Sequence, residues 1–181
     1  MKHFVRFILK ITGWKYIKPT EKIDKSVICV APHTSNWDFI MGQFFASACE
    51  IKSSFLMKKE WFVFPLKGLF KAMGGIPIDR SKKTSVTEQV AETFKQYKEF
   101  HIAIAPEGTR GYVKDWKKGF YYIALKANVP IQLAYIDYTK KEMGITKVFY
   151  PTGNEEADLK EIKAFYANIK GKFPERFHVH H

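Results

Sequence analysis

Val30-Ala31-Pro32-His33-Thr34-Ser35-Asn36-Trp37-Asp38-Phe39 is the stretch around which the chain is organised. An apolar, β-branched run over residues 26–31 stops at a proline, a histidine and small polar residues follow, and an aspartate then heads an apolar helical pattern. Histidine is the side chain whose unperturbed pKa suits proton transfer near neutrality. An aspartate one helical turn beyond holds an imidazole in one tautomer and stabilises its protonated form. Such a pair is a base with an orienter and no nucleophile beside it, so the attacking oxygen has to come from a substrate. The competing reading is structural: His33 hydrogen-bonds within a loop and Asp38 supports a helix N-terminus. This stretch alone leaves both open.

Outward from it, strand patterns alternate with helical ones. Residues 53–58, 101–105, 129–136 and 145–150 read as further strands, and residues 74–80 as a turn with a short extended piece. Helical patterns cover 1–14, the segment after the His33 loop to about residue 50, and residues 84–100, 119–128 and 155–170. The expected fold is a single α/β domain over residues 1–181, with a mostly parallel or mixed buried sheet flanked by helices. Residues 16–25 read as a polar connection, and 170–181 as a basic tail. Residues 60–73 form a lumpy apolar segment that Pro65 interrupts. Phe62, Phe64, Leu69 and Phe70 there are candidate walls for an apolar substrate. Residues 1–14 predict an amphipathic helix: Phe4, Phe7, Ile8, Ile11 and Trp14 share one face, Val5 and Leu9 widen it, and Lys2, Arg6 and Lys10 recur every fourth residue. That helix fits docking on the core, lying in a lipid interface, or both on different edges.

The 181 residues suit one domain with a real core, and 46% hydrophobic content excludes disorder. Lysine and arginine number 30 against 18 acids, a formal charge of +12. That excess points to anionic partners, and 16 phenylalanines beside it tilt the expectation from nucleic acid towards an anionic membrane surface. Cys29 and Cys49, both in apolar patterns, suggest reduced thiols in a cytoplasmic protein without disulfide framework or metal spacing. No apolar stretch reaches the roughly 18–20 residues of a spanning helix, and no cleavage pattern marks a signal peptide. The expected location is therefore peripheral, on the inner face of a membrane. The histidines at 178, 180 and 181 read as a solvated tail.

Three polar loops end strands or strand-like pieces: 33–38, Asp79-Arg80 and 107–110. Ligands of α/β sheets bind beyond the carboxyl ends of strands, so the loops can converge on one crevice. Arginine's planar fork matches a phosphate. Gly108 lets backbone amides approach an anion. Glu107 either accepts hydroxyl hydrogen bonds or pairs with an arginine and holds the loop; the residues leave both open.

His33-Thr34-Ser35-Asn36-Trp37-Asp38 resembles the histidine, four residues, aspartate motif of the glycerolipid acyltransferases, the lysophosphatidic acid and glycerol-3-phosphate acyltransferase family. Gly75-Ile76-Pro77-Ile78-Asp79-Arg80 resembles that family's second motif, Ala105-Pro106-Glu107-Gly108-Thr109-Arg110 its third and Val129-Pro130-Ile131 its fourth, in the same order. Ala105 stands where phenylalanine is usual and Gly111 where serine is common; neither change removes a charged group.

The resemblance implies acyl transfer from a thioester, acyl-CoA or acyl carrier protein, to a hydroxyl of a glycerol-phosphate-type lysophospholipid. His33 would be the general base and Asp38 its orienter. Ser35, Asn36, Arg80, Glu107, Gly108, Thr109 and Arg110 would bind substrate. It implies no metal and no cofactor beyond the thioester co-substrate. A basic nucleic-acid-binding domain would explain the charge, but no recognised motif supports it and no nucleic acid partner is expected. A thioesterase using His33 and water is the other alternative; no Gly-x-Ser-x-Gly elbow marks a serine hydrolase.

Overall fold

The apolar run before Pro32 lies at the middle of a seven-stranded sheet. It forms β2 (Lys25–Val30), paired in parallel with β5 (Phe100–Ile104) on one edge and β6 (Ile131–Asp137) on the other. A strand flanked on both edges and covered on both faces has no solvated side, which is why its sequence is continuously apolar. With β1 (Lys15–Ile17), β3 (Ser53–Lys58), β4 (Gly75–Ile78) and β7 (Glu142–Phe149), the order is β1-β7-β6-β2-β5-β3-β4. All described pairings are parallel except β6 with β7, so the sheet is mixed. The computed structural model describes residues 2–78 and 85–179.

Among the described residues six helices cover it: α1 (Lys2–Ile11), α2 (Trp37–Cys49), α3 (Leu66–Ala72), α4 (Val86–Gln96), α5 (Gly119–Ala127) and α6 (Glu155–Tyr166). One core layer joins Val5 and Leu9 of α1 and Met41, Phe45 and Ala48 of α2 to Ile28, Ala134, Ile136, Met143 and Ile145. The other joins Val90 and Phe94 of α4, Phe120 and Ile123 of α5, and Leu159, Ile162 and Tyr166 of α6 to Val27, Ile102, Ile131 and Leu133. Right-handed crossovers account for the division. β2→α2→β3 and β3→α3→β4 run towards one edge of the sheet, β4→α4→β5 and β5→α5→β6 towards the other, so their helices fall on opposite faces.

Several boundaries differ from the sequence expectation, two of them for a tertiary reason visible in the packing. Residues 15–17, expected as connection, add an edge strand parallel to β7. Gly144 permits it, since a Cβ there would sit 3.0 Å from Ile17 Cβ. The expected 84–100 helix stops at Gln96, with Tyr97 extended. Phe100 instead joins the sheet, its amide donating to Asp24 O at 2.8 Å and its ring meeting Phe94 edge-on, centroids 4.7 Å apart. The 155–170 helix ends at Tyr166, and β7 begins at Glu142 rather than 145.

α1 splits its apolar arc. Val5 and Leu9 are buried against the core while Phe4, Phe7 and Ile11 stay exposed. Arg6 donates to Ala48 O at 3.0 and 2.6 Å, satisfying a free carbonyl at the end of α2, and Lys2 pairs with Glu50 at 2.8 Å.

Candidate active site

β2 and β5 are neighbours whose following helices leave on opposite faces, so their carboxyl ends flank a switch point where a crevice opens. The loop after β2 carries His33 and the loop after β5 carries Glu107. His33 Nδ1 lies 3.2 Å from Asp38 Oδ2. A carboxylate only accepts, so Nδ1 bears the proton and the neutral ring keeps its lone pair on Nε2. Oδ2 also accepts the amides of Thr34 (2.8 Å) and Ser35 (2.9 Å), and Oδ1 accepts the Tyr138 hydroxyl (2.7 Å). Asp38 is only 4% exposed. Burial raises its carboxyl, but the hydrogen bonds from His33, Tyr138 and Ser35 outweigh this and hold it below the usual aspartate value. Asp38 is therefore an anion fixed on both oxygens, aimed at His33.

Glu107 lies beneath the loop, 3% exposed, with Oε1 accepting the His33 amide at 2.8 Å. Burial pushes its carboxyl above the ordinary glutamate value, and Oε2 is buried without a hydrogen-bond partner among the described residues. Glu107 sits behind His33 rather than open to solvent, and its described partner is an amide rather than an arginine. Ser35 is likewise turned inward, its Oγ accepting the Trp37 amide at 3.2 Å at the start of α2. Arg110 and Asn36 meet at the rim, guanidinium to side-chain oxygen, joining the first and third loops. Thr109 is exposed, its Oγ1 accepting the Gly111 amide at 3.4 Å. Arg80 lies outside the described residues. His178 packs its ring against Tyr112, while the histidines at 180 and 181 also lie outside.

Gly108 has φ +65°, and a Cβ on it would fall 2.7–2.8 Å from Cδ, Cε and Nζ of Lys117. The glycine thus gives the lysine passage across the third loop, where Lys117 lines the same cavity as His33 and Asp38. Its amide is anchored to Pro106 O at 2.7 Å. Nothing in the sequence sets Lys117 apart from its neighbours Lys114 and Lys118.

That cavity, about 570 Å³, is largely apolar. Its walls include Phe39 and Phe45 of α2, Phe55 of β3 and Phe120 and Ile123 of α5, from both faces of the sheet. They meet where the sheet splays: the β3–β5 ladder ends at Phe55/Ala103, although β3 and β4 stay paired to Lys58/Ile78. Of the candidate wall residues Phe62, Phe64, Leu69 and Phe70, none lines this cavity, and Phe64 is 96% exposed. Beneath the loop, burial in the strand pushes the Cys29 thiol up, which unfits it as a nucleophile.

A strap formed by residues 170–177 crosses the His33 loop from outside. Phe173 donates its amide to Thr34 Oγ1 (3.2 Å), Arg176 reaches Thr34 O (3.4 Å), and Lys172 stands over the Trp37 ring at 5.0 Å. Gly171 passes so close that a Cβ would meet Thr34 Oγ1 at 2.8 Å. Phe177 anchors the strap in the core beside Trp116. Sequence patterning showed only a basic tail there.

An open α/β sheet with a histidine–aspartate pair at its switch point and an apolar cavity alongside defines a ligand-binding protein of the doubly wound kind. The Acyltransferase family model matches residues 9–136, from α1 through β6. The 1-acyl-sn-glycerol-3-phosphate acyltransferases of Limnanthes alba and Limnanthes douglasii are each 31% identical over 121 residues, covering 64% of this chain and 42% of theirs. This chain thus spans less than half the length of the curated relatives it matches. The crystal structure of the 1-acyl-sn-glycerophosphate (LPA) acyltransferase PlsC from Thermotoga maritima aligns with a TM-score of 0.57 at 19% identity, over 94% of this chain and 80% of that one. At that identity the likeness is one of fold. The chain belongs to the acyltransferase family.

Proposed function

We propose that this protein transfers a fatty acyl group from a thioester, acyl-CoA or acyl carrier protein, to a free hydroxyl of a glycerol-phosphate lysolipid at a membrane surface. The observation that carries the reading is the His33–Asp38 pair on the wall of an apolar cavity. The described polar partners of His33 are Asp38 for its ring and Glu107 for its amide, neither of them a nucleophile. Direct transfer between two bound substrates fits that arrangement.

His33 Nε2 takes the proton of the acceptor hydroxyl as its oxygen attacks the thioester carbonyl. The tetrahedral intermediate collapses, the carbon–sulfur bond breaks, and the same proton passes from His33 to the leaving thiolate. Asp38 stabilises the imidazolium between those events. The apolar cavity takes the acyl chain. Lys117 on the wall and Arg110 at the rim, with Arg80 assigned by its motif, meet the acceptor's phosphate. The names of the Limnanthes relatives favour a 1-acyl-glycerol-3-phosphate acceptor.

Most exposed large apolar side chains belong to one face: Phe4, Phe7 and Ile11 on α1, Trp37, Phe39 and Ile40 on α2, and Val63, Phe64, Leu66 and Leu69 around α3. Exposed Lys10, Lys67 and Lys71 lie among them. Aromatic and aliphatic groups set among lysines suit an anionic lipid interface. No described helix is long and apolar enough to cross a membrane. On this reading the exposed apolar face and its lysines rest on the cytoplasmic face of a membrane, as in a peripheral protein.

Thiol release by purified protein tests the reading, with long-chain acyl-CoA or acyl carrier protein as donor. The acceptor panel is lysophosphatidate, glycerol-3-phosphate and a lyso-aminolipid, with products identified by mass spectrometry. Release should require an acceptor, and His33→Ala should lower it by roughly 10³-fold or more. Release at the original rate from His33→Ala removes His33 as base. Release independent of every acceptor makes the protein a thioesterase.

A further inference from the structure

Tyr138 lies just beyond β6, 100 residues from Asp38, and donates its hydroxyl to Asp38 Oδ1 at 2.7 Å. Because Oδ2 is committed to His33 and two loop amides, Tyr138 is the described partner on the other oxygen. Burial, and then the hydrogen bond to the carboxylate, lift the Tyr138 phenol far above its ordinary value. It remains a donor wherever Asp38 is ionised.

Two remote segments fix Tyr138 in turn. The Trp14 indole meets its ring at 90°, centroids 5.3 Å apart, and its amide donates to Lys170 O at 2.9 Å, where the strap over Thr34 begins. Trp14 is itself the continuation of α1. Gly13 turns the chain at φ +75°, and the Trp14 amide donates back to Leu9 O at 2.8 Å. Leu9, Val5 and Arg6 are the residues that dock α1 on the core and on α2. An unbroken series of contacts therefore runs from the docked edge of α1, through Trp14 and Tyr138, to the carboxylate that orients His33.

We propose that Tyr138 is a positioning residue for acyl transfer, holding Asp38 and through it His33, and that α1 acts on the reaction through Trp14 as well as at the lipid surface. The proposal rests on the acyltransferase reading. Removing the hydroxyl leaves Oδ1 buried without a partner among the described residues, so the carboxylate is held through Oδ2 alone. The acceptor of the His33 Nδ1 proton is then less firmly oriented.

Tyr138→Phe keeps the ring and the Trp14 contact and deletes only the donor. Trp14→Leu keeps apolar bulk and deletes the aromatic edge. The assay uses a short-chain acyl-CoA and a short-chain lysolipid below its micellar concentration, so that delivery from a membrane plays no part. Tyr138→Phe should lower kcat roughly 10- to 100-fold, by analogy with the loss of hydrogen bonds that orient the ligands of metal sites. Both KM values should change by less than about two-fold, as for an interaction made in the transition state. Trp14→Leu should lower kcat several-fold on the same substrates, and adding it to Tyr138→Phe should cost little more. The His33 Nδ1 proton resonance, assigned by its loss in His33→Gln, should move in Tyr138→Phe and move less, in the same direction, in Trp14→Leu. An unchanged kcat, a loss confined to KM, or an unmoved His33 resonance in Tyr138→Phe overturns the positioning role. A Trp14→Leu variant impaired only on vesicles overturns the part assigned to α1. If the unaltered protein transfers no acyl group to any acceptor, the acyltransferase reading fails by itself, and the resonance still decides whether Tyr138 positions His33.

Discussion

Glu107 puts opposing demands on one carboxyl. Its Oε1 holds the His33 amide, while Oε2 is buried without a partner among the described residues and burial raises the group above the ordinary glutamate range. An acid with a raised folded pKa binds its proton more tightly in the native state. Its contribution is fully present below the unfolded value, declines as pH rises towards the folded value, and stays lost above it. Glu107→Gln removes that decline. Denaturant titrations across the acidic range should therefore show the variant gaining stability relative to the original protein as pH rises, with no further gain once Glu107 is ionised. A pH-independent difference would contradict a buried, proton-holding carboxyl. His33 and Asp38 were legible in the sequence because five positions and one helix start bring them together. Which way Glu107 faces was not, since its partner lies 74 residues away.

α1 shows how far periodicity goes for an element. Its charges and apolar positions predicted an amphipathic helix, and a helix spans Lys2–Ile11. Which part of a wide apolar arc packs depends on where α2 and β7 stand, and the answer is Val5 and Leu9. Leu9, 1% exposed, should cost about 2–5 kcal/mol of unfolding free energy as Leu9→Ala, measured by denaturant titration, because the cavity it leaves is closed by α2 and the sheet. A loss below about 1 kcal/mol would mean that α1 is not docked in solution. β1 was invisible for a related reason. Three residues carry no period, and only β7's glycine at 144 gives them a strand to join.

Across the whole molecule, the two faces of the sheet are treated unequally. The α4–α5–α6 face closes over a large core, whereas the α1–α2–α3 face leaves phenylalanines and a tryptophan in solvent. If that face meets lipid, Phe7→Ser and Phe64→Ser should each weaken flotation with anionic vesicles about 10-fold or more, since burying a phenylalanine is worth roughly 1.5–3 kcal/mol. Both side chains are exposed, so folding should be little affected. Undiminished flotation of the double variant would exclude the face as the contact. The sequence by itself determined the α/β class, the central strand, the loop bearing His33 and Asp38 and the family, because each is written in neighbouring residues or in ordered short motifs. Only the tertiary structure decided the inward turn of Glu107, the reach of Lys117 across Gly108, the splay between β3 and β5, and the hold of Tyr138 and the 170–177 strap on the site. Those depend on contacts between residues as far as 142 positions apart, and local periodicity carries no record of such pairings.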